Sequence, residues 1–274
     1  MRKILISDFT TKEAPHGGSE WVNQVLIDKF NLEFQYSQQV TSFNTNDFYI
    51  ISNVSLMRPD LVKQISSLNY IIIENDYKIC QSRHPWRWEN SIIPLNERTN
   101  YDMYANAKAV FVQTNDHLSV YKANDVKGNF INLHTSIWAD EDLLLLEKLL
   151  KENTIKNDRT AIYDTSNWIK NTNGAIEICK SNNLEYDLIP NMEKREDFLS
   201  AMAKSSNLVF YPIARETFCR LVVEAKCLGL NVITSKNYGA SLEGWFDAMS
   251  GQDLIDFLRM QTENNINKIS KFLI

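Results

Sequence analysis

Two glutamates, Glu216 and Glu224, stand eight positions apart in the stretch LVFYPIARETFCRLVVEAKCLGLNVI, residues 208–233. The apolar run 208–211 reads as a strand, Pro212 breaks it, and the pattern from Phe218 to Leu228 reads as a helix. If Thr217 and Phe218 open that helix, its first N–H groups lack intrahelical acceptors and lie beside Glu216. Such an end attracts an anion, a diphosphate for instance. Ionised carboxylates flanking it suit a hydroxyl-rich ligand, from which they accept strong hydrogen bonds. A plainer reading of the same residues stands beside this one. Glu216 is then a favourable first-turn charge and Glu224 a surface residue.

Three more segments carry usable side chains. His16-Gly17-Gly18-Ser19-Glu20 follows a predicted first strand and opens a predicted helix. Glycines there let a ligand approach the backbone closely, although a turn capped by Ser19 reads the same way. Trp168-Ile169-Lys170-Asn171-Thr172-Asn173-Gly174 brings Lys170, whose ammonium needs only reach to meet a phosphate. A solvated surface lysine is the alternative. Near another strand end, Asp76, Lys78 and Arg83 are grouped with the aromatics Tyr77, Trp86 and Trp88. That grouping fits a sugar-binding surface, or a solvated loop over an aromatic patch.

Short apolar runs alternating with helical patterns must position these residues, the signature of parallel sheets flanked by helices. In the first half, strands are expected at 3–7, 48–52, 70–73 and 109–113, with helices at 19–30 and 115–123. A Leu-rich helix at 141–152 reads as a connector. Beyond it the pattern predicts strands at 160–163, 185–189, 208–211 and 232–234, and helices at 171–181, 193–203 and 218–228. The expectation is an α/β protein of two Rossmann-like domains, 1–138 and 139–274, facing each other across a cleft. Ligands of open α/β sheets bind beyond the carboxyl ends of strands, so the loops after strands are where chemistry belongs.

The spacing Glu216-x7-Glu224, with Phe218 and Ala225 beside the two glutamates and Gly229 beyond, resembles the retaining glycosyltransferases of family 4, of GT-B architecture. The resemblance implies that Glu216 approaches the transferred sugar, as the catalytic carboxylate. It also implies that Glu224 binds the ribose of a sugar nucleotide and that the Phe218–Cys219 backbone meets the diphosphate. Lys170 corresponds to the family's donor-phosphate lysine, and Gly17 and Gly18 to its N-domain glycine loop, facing the donor phosphates and acceptor. Val110 to Gln113 with Thr114, Asp116 and His117 is similar to its last N-domain strand and helix start, where His117 reads as structural. Three positions depart from the family. Thr165 replaces an arginine five residues before Lys170, Asn75 stands where many members have histidine, and Cys219 where many have glycine. Either Arg215 or Arg220 then substitutes as the phosphate cation, or donor binding is weaker. Asp76, Lys78 and Arg83 are the acceptor-side candidates.

A net charge of -5 without a dense Lys/Arg run argues against nucleic acid. Cys80, Cys179, Cys219 and Cys227 form no CxxC pair, so no zinc ribbon or dithiol redox site is signalled. The apolar run after Met1 is too short for a signal peptide, and no run reaches the roughly 20 residues of a membrane span. A cytoplasmic protein is expected, with peripheral membrane contact left open. No Asp-x-Asp stands at a strand end, so neither a metal nor another cofactor is required, and the partners are a sugar nucleotide and a carbohydrate-type acceptor. One rival is a sugar-nucleotide-binding protein that kept the fold and lost catalysis, as Thr165 and Asn75 suggest. A dinucleotide-dependent oxidoreductase is disfavoured, since no G-x-G-x-x-G follows the first strand.

Overall fold

Ile4, Leu5 and Ile6 are all buried. A strand hidden on both faces must satisfy its backbone through neighbouring strands. These residues form β1 (Lys3–Ser7) of a computed structural model that describes residues 1–11 and 17–273. Helix α1 (Gly18–Phe30) follows. The Gly17 N–H donates to Glu20 Oε2 at 2.6 Å, and Asn31 closes the helix with φ 49. The chain continues through β2 (Glu33–Tyr36), β3 (Phe48–Ile51), α2 (Pro59–Ile65), β4 (Asn69–Ile73) and α3 (Tyr101–Ala105). Then come β5 (Val110–Val112), α4 (Asn115–Ala123) and β6 (Phe130–Asn132). Thr114 caps α4 by accepting the His117 N–H at 3.1 Å. All strands to this point lie parallel, in the order β2-β1-β3-β4-β5-β6. Ile72, Val110 and Val112 pack with Val120 and Tyr121 of α4 in the core on one face.

Beyond this sheet lie α5 (Asp140–Glu152), β7 (Asn157–Asp164), α6 (Thr172–Ser181), β8 (Tyr186–Pro190), α7 (Arg195–Ala203) and β9 (Ser205–Phe210). The series ends with α8 (Arg220–Cys227), β10 (Asn231–Thr234), α9 (Gly244–Ala248) and α10 (Gly251–Ser270). The second sheet is also parallel, in the order β10-β9-β7-β8. Its core joins Ile162 and Val209 to Ala175 and Cys179 of α6.

The chain divides into two compact units, residues 1–138 with 261–274, and residues 139–260. The last stretch belongs with the first unit through specific bonds. Asn265 Nδ2 donates to the Leu133 carbonyl at 3.0 Å, the Trp138 N–H donates to Thr262 Oγ1 at 3.2 Å, and Phe272 meets Phe111 edge to face. No helix among the described residues is long and apolar enough to cross a membrane.

Most predicted strands and helices are present, within a few residues at their ends. The sequence pattern passes over β2, α2, α3, β6, α9 and α10. β2 is a four-residue edge strand, half-buried or exposed, so its side chains show no buried alternation to read. Helix α8 begins at Arg220, not at Phe218. Cys219 takes φ 75, ψ 81, outside helical space, and the preceding residues are held in an extended bridge. The Glu216 N–H donates to the Asn237 carbonyl at 3.1 Å, and the Gly239 N–H to the Glu216 carbonyl at 2.8 Å.

Candidate functional site

In the second sheet β7 is followed by β8 on one side, and the chain then crosses to β9 on the other. This reversal is a topological switch point, and open α/β sheets bind their ligands beyond the carboxyl ends of the strands at such a point, here β7 and β9. The loops leaving those strands are stitched together there. Ile213 N–H donates to the Ile169 carbonyl at 2.9 Å, and Asn171 Nδ2 to the Tyr211 carbonyl at 2.9 Å. Lys170 ends the turn Trp168–Lys170, and its Nζ donates to Glu216 Oε1 at 2.8 Å. The two residues expected at the diphosphate and the sugar are therefore side by side. Burial pulls the Lys170 ammonium down, but the adjacent Glu216 carboxylate outweighs it and holds the pKa above its usual value. Phe218 is an anchor, buried and packed with Trp245 at 6.3 Å between ring centroids. Cys219, next to it, is also buried, and burial pushes its thiol well above the ordinary range, so it stays protonated.

Glu224 and Arg220 are placed differently from a simple ligand shell. They belong to a buried ring of four charges drawn from three helices. Arg195 Nη2 donates to Glu224 Oε1 at 2.6 Å, and Arg220 Nε lies 3.5 Å from the same oxygen. Asp142 closes the ring, 2.8 Å from Arg220 Nη2 and 3.4 Å from Arg195 Nε. Burial and the neighbouring Arg195 charge bring the Arg220 pKa down to about 10, which leaves it cationic at neutral pH. Glu224 is thus no surface residue, and Arg220 is committed to carboxylates.

In the first sheet the reversal falls between β1 and β3. Asp8, just past β1 and 1% exposed, organises this edge. Its carboxylate accepts the Ser55 N–H at 3.0 Å, the Leu56 N–H at 3.1 Å, the Ser55 hydroxyl at 2.6 Å and the Ser37 hydroxyl. Arg83 pairs with Asp76 and donates to Asn53 Oδ1 at 2.8 Å, which joins the loops after β3 and β4. Asp76 and Arg83 are therefore brought together as partly exposed neighbours. Lys78 goes elsewhere. It is 5% exposed and paired with the fully buried Glu74, which also accepts the Tyr104 hydroxyl, so it offers no surface for an acceptor. Gly17 and Gly18 open α1 as expected, while His16 lies outside the described residues. His117 is buried and structural, as read from the sequence. Its Nδ1 accepts the Gln113 N–H at 3.4 Å, and its Nε2 bonds the Asp76 carbonyl at 2.9 Å, so the proton belongs on Nε2.

No family model matches the chain, and no curated protein matches it. Solved structures do. The E. coli trehalose-6-phosphate structure bound with UDP-2-fluoro glucose aligns over 99% of this chain and 99% of its own, at 9% identity and a TM-score of 0.60. Anabaena HepE in complex with UDP and glucose aligns over 96% of this chain and 89% of its own, at 10% identity and a TM-score of 0.51. The α,α-trehalose-phosphate synthase (UDP-forming) of Burkholderia vietnamiensis covers 93% and 76%, at 9% identity and a TM-score of 0.51. The fold is GT-B-like.

Within this GT-B-like chain, sequence reasoning missed Asp8, Arg195 and Asp142. Asp8 had a readable signal, a carboxylate directly after the first strand. Arg195 and Asp142 had none, because an ordinary first-turn charge and an acidic connector helix look the same from the sequence.

Proposed function

We propose that the protein is a glycosyltransferase that moves a sugar from a nucleoside diphosphate sugar to a hydroxyl-bearing acceptor, with retention and without a metal. The observation that carries this reading is the Lys170–Glu216 pair at the switch point of the second sheet. A cation at that point suits the leaving diphosphate, whose charge grows as the glycosidic bond breaks; preorganised groups of this kind supply much of a catalyst's effect. Glu216, relieved of Lys170 by the arriving phosphate, accepts hydrogen bonds from the sugar hydroxyls and orients the ring. No nucleophile from the protein is needed for front-face departure. The C1–O bond to phosphate breaks with its electron pair on the diphosphate oxygen. The acceptor oxygen then bonds C1 from the same face and passes its proton to that oxygen. Glu224 takes the ribose. Asp76 and Arg83 remain the acceptor-side candidates, and Lys78 does not.

The similar folds bound to UDP and UDP-sugars make UDP the first probe. A thermal-shift screen of UDP, GDP and ADP, followed by a nucleoside diphosphate release assay with the matching sugar nucleotides, tests the reading. Stabilisation with turnover supports the transferase. Stabilisation without release from any donor, with or without added glycan acceptors, favours a binding protein that has lost catalysis. Thr165, in place of the expected phosphate arginine, is the residue that favours this second reading.

A further inference from the structure

Glu224 sits on α8 with its side chain 7% exposed, and the closest approach of both neighbouring guanidiniums is to one oxygen, Oε1. Among the described residues no hydrogen bond reaches Oε2. The arginines do not lie there by chance of local sequence. Arg220 is one helical turn before Glu224, whereas Arg195 comes from α7, and Asp142 of α5 joins the two guanidiniums on the far side. The order of charges is Asp142, Arg220, Glu224, Arg195, alternating in sign around the ring.

Burying four charges is expensive, and apolar residues of similar volume would often serve stability as well. What a closed ring of fork-shaped donors does supply is orientation. A carboxylate bonded at one oxygen by Arg195 Nη2 at 2.6 Å, and faced at that same oxygen by Arg220 Nε at 3.5 Å as an ion pair, has its rotation restricted, so its second oxygen is held in one direction. An oriented carboxylate oxygen in surroundings of low dielectric is a strong acceptor for hydroxyl protons.

We infer that Arg195 and Asp142 are positioning residues that hold Glu224 with Oε1 engaged and Oε2 presented to the hydroxyls of a ribose. The inference rests on the reading of Glu224 as a donor ligand. Arg195 acts on the carboxylate directly, and Asp142 acts one step removed, by bonding Arg220 Nη2 at 2.8 Å and lying 3.4 Å from Arg195 Nε as an ion pair. Neither touches the nucleotide.

Calorimetric titration with UDP, GDP and ADP, each beside its 2′-deoxy counterpart, tests this on the full chain. The wild-type protein is expected to prefer the ribonucleotide by about tenfold or more, the scale of losing a hydrogen bond to a charged acceptor. Arg195→Lys keeps the charge but loses the planar fork, and Asp142→Asn keeps the shape but loses the charge. Each should reduce the ribose preference to about twofold or less while affinity for the 2′-deoxy nucleotide stays nearly constant. Circular dichroism reports the fold of each variant; should Arg195→Lys fail to fold, Asp142→Asn decides. A merely structural ring would weaken both nucleotides equally, and an unchanged ratio overturns the inference while leaving the donor-site reading intact. A wild-type protein that binds a nucleotide with no ribose preference removes Glu224 from the ribose and the inference with it. Binding of none of the three overturns the parent reading as well.

Discussion

The Lys170 ammonium lies 2.8 Å from Glu216 Oε1, although the residues are 46 positions apart. They meet because β7 and β9 are neighbours in a parallel sheet, so the loops leaving both strands emerge at the same edge. The two loops are bonded to each other, and each has its own tie as well, Lys170 in its 3₁₀ turn and Glu216 in its bridge to Tyr238. The pair is thus held by backbone rather than by its own attraction. Each side chain partners the other, and on the proposed function an incoming diphosphate would exchange one anion for another at Lys170.

Replacing Lys170 with Ala should lower turnover by roughly 10²-fold or more, the scale for one preorganised charge-stabilising group. Lys170→Arg should rescue only partly, since a planar fork does not reproduce a compact ammonium. Stability should change by about 1 kcal/mol or less, because the pair is partly exposed and screened. A donor-consumption assay beside a thermal melt checks both. Normal turnover in Lys170→Ala would remove the residue from the site.

On the proposed mechanism turnover should survive excess chelator, because the ammonium of Lys170 would take the role a divalent cation plays elsewhere. The check is the same release assay in EDTA with and without added magnesium or manganese. Complete loss in chelator, restored by metal, would contradict the mechanism.

Asp8→Ala should destabilise the protein by about 2–4 kcal/mol. It strands two backbone N–H groups and two hydroxyls that now share one buried carboxylate. Asp8→Asn should lose less, since an amide oxygen still accepts from some of them. Urea denaturation reads the difference; a midpoint equal to wild type in Asp8→Ala would show that the hub carries no stability.

Burial brings the His117 pKa down to about 4, and the Asp76 carbonyl only partly offsets it. The unfolded chain, with histidine near 6.5, therefore binds a proton that the folded chain refuses between about pH 6.5 and 4. Stability is full above that window and falls as the pH drops through it, by about 3 kcal/mol from this residue. His117→Gln should be less stable than wild type at pH 7 but lose less on acidification. Denaturation midpoints at several pH values check the slope, and identical slopes would show that His117 does not carry the transition.

Local chemistry was enough to read the alternation of strands and helices. The run Tyr70 to Ile73 is apolar at every position and is fully buried as β4. Thr114 before Asn115 marks a helix start, and Lys170 and the glycines stand at element boundaries that the pattern alone places. These signals depend on a few neighbouring residues, which is why they survive in a single sequence.

Other features were decided by tertiary structure. The left-handed backbone at Cys219, which delays α8 to Arg220, goes with the bridge of residues 216–218 to the loop after β10. Lys78 reads as a surface cation in the sequence, but it is buried and paired with Glu74, which also accepts the Tyr104 hydroxyl. Glu224 looked solitary, yet its partners lie 29 positions away at Arg195 and, through Arg220, 78 positions from Arg220 at Asp142. A residue type fixes the charge it can carry. Only packing decides which charges are brought together and how completely water is excluded from between them, and those two quantities set whether a glutamate is solvated, paired or poised for a ligand.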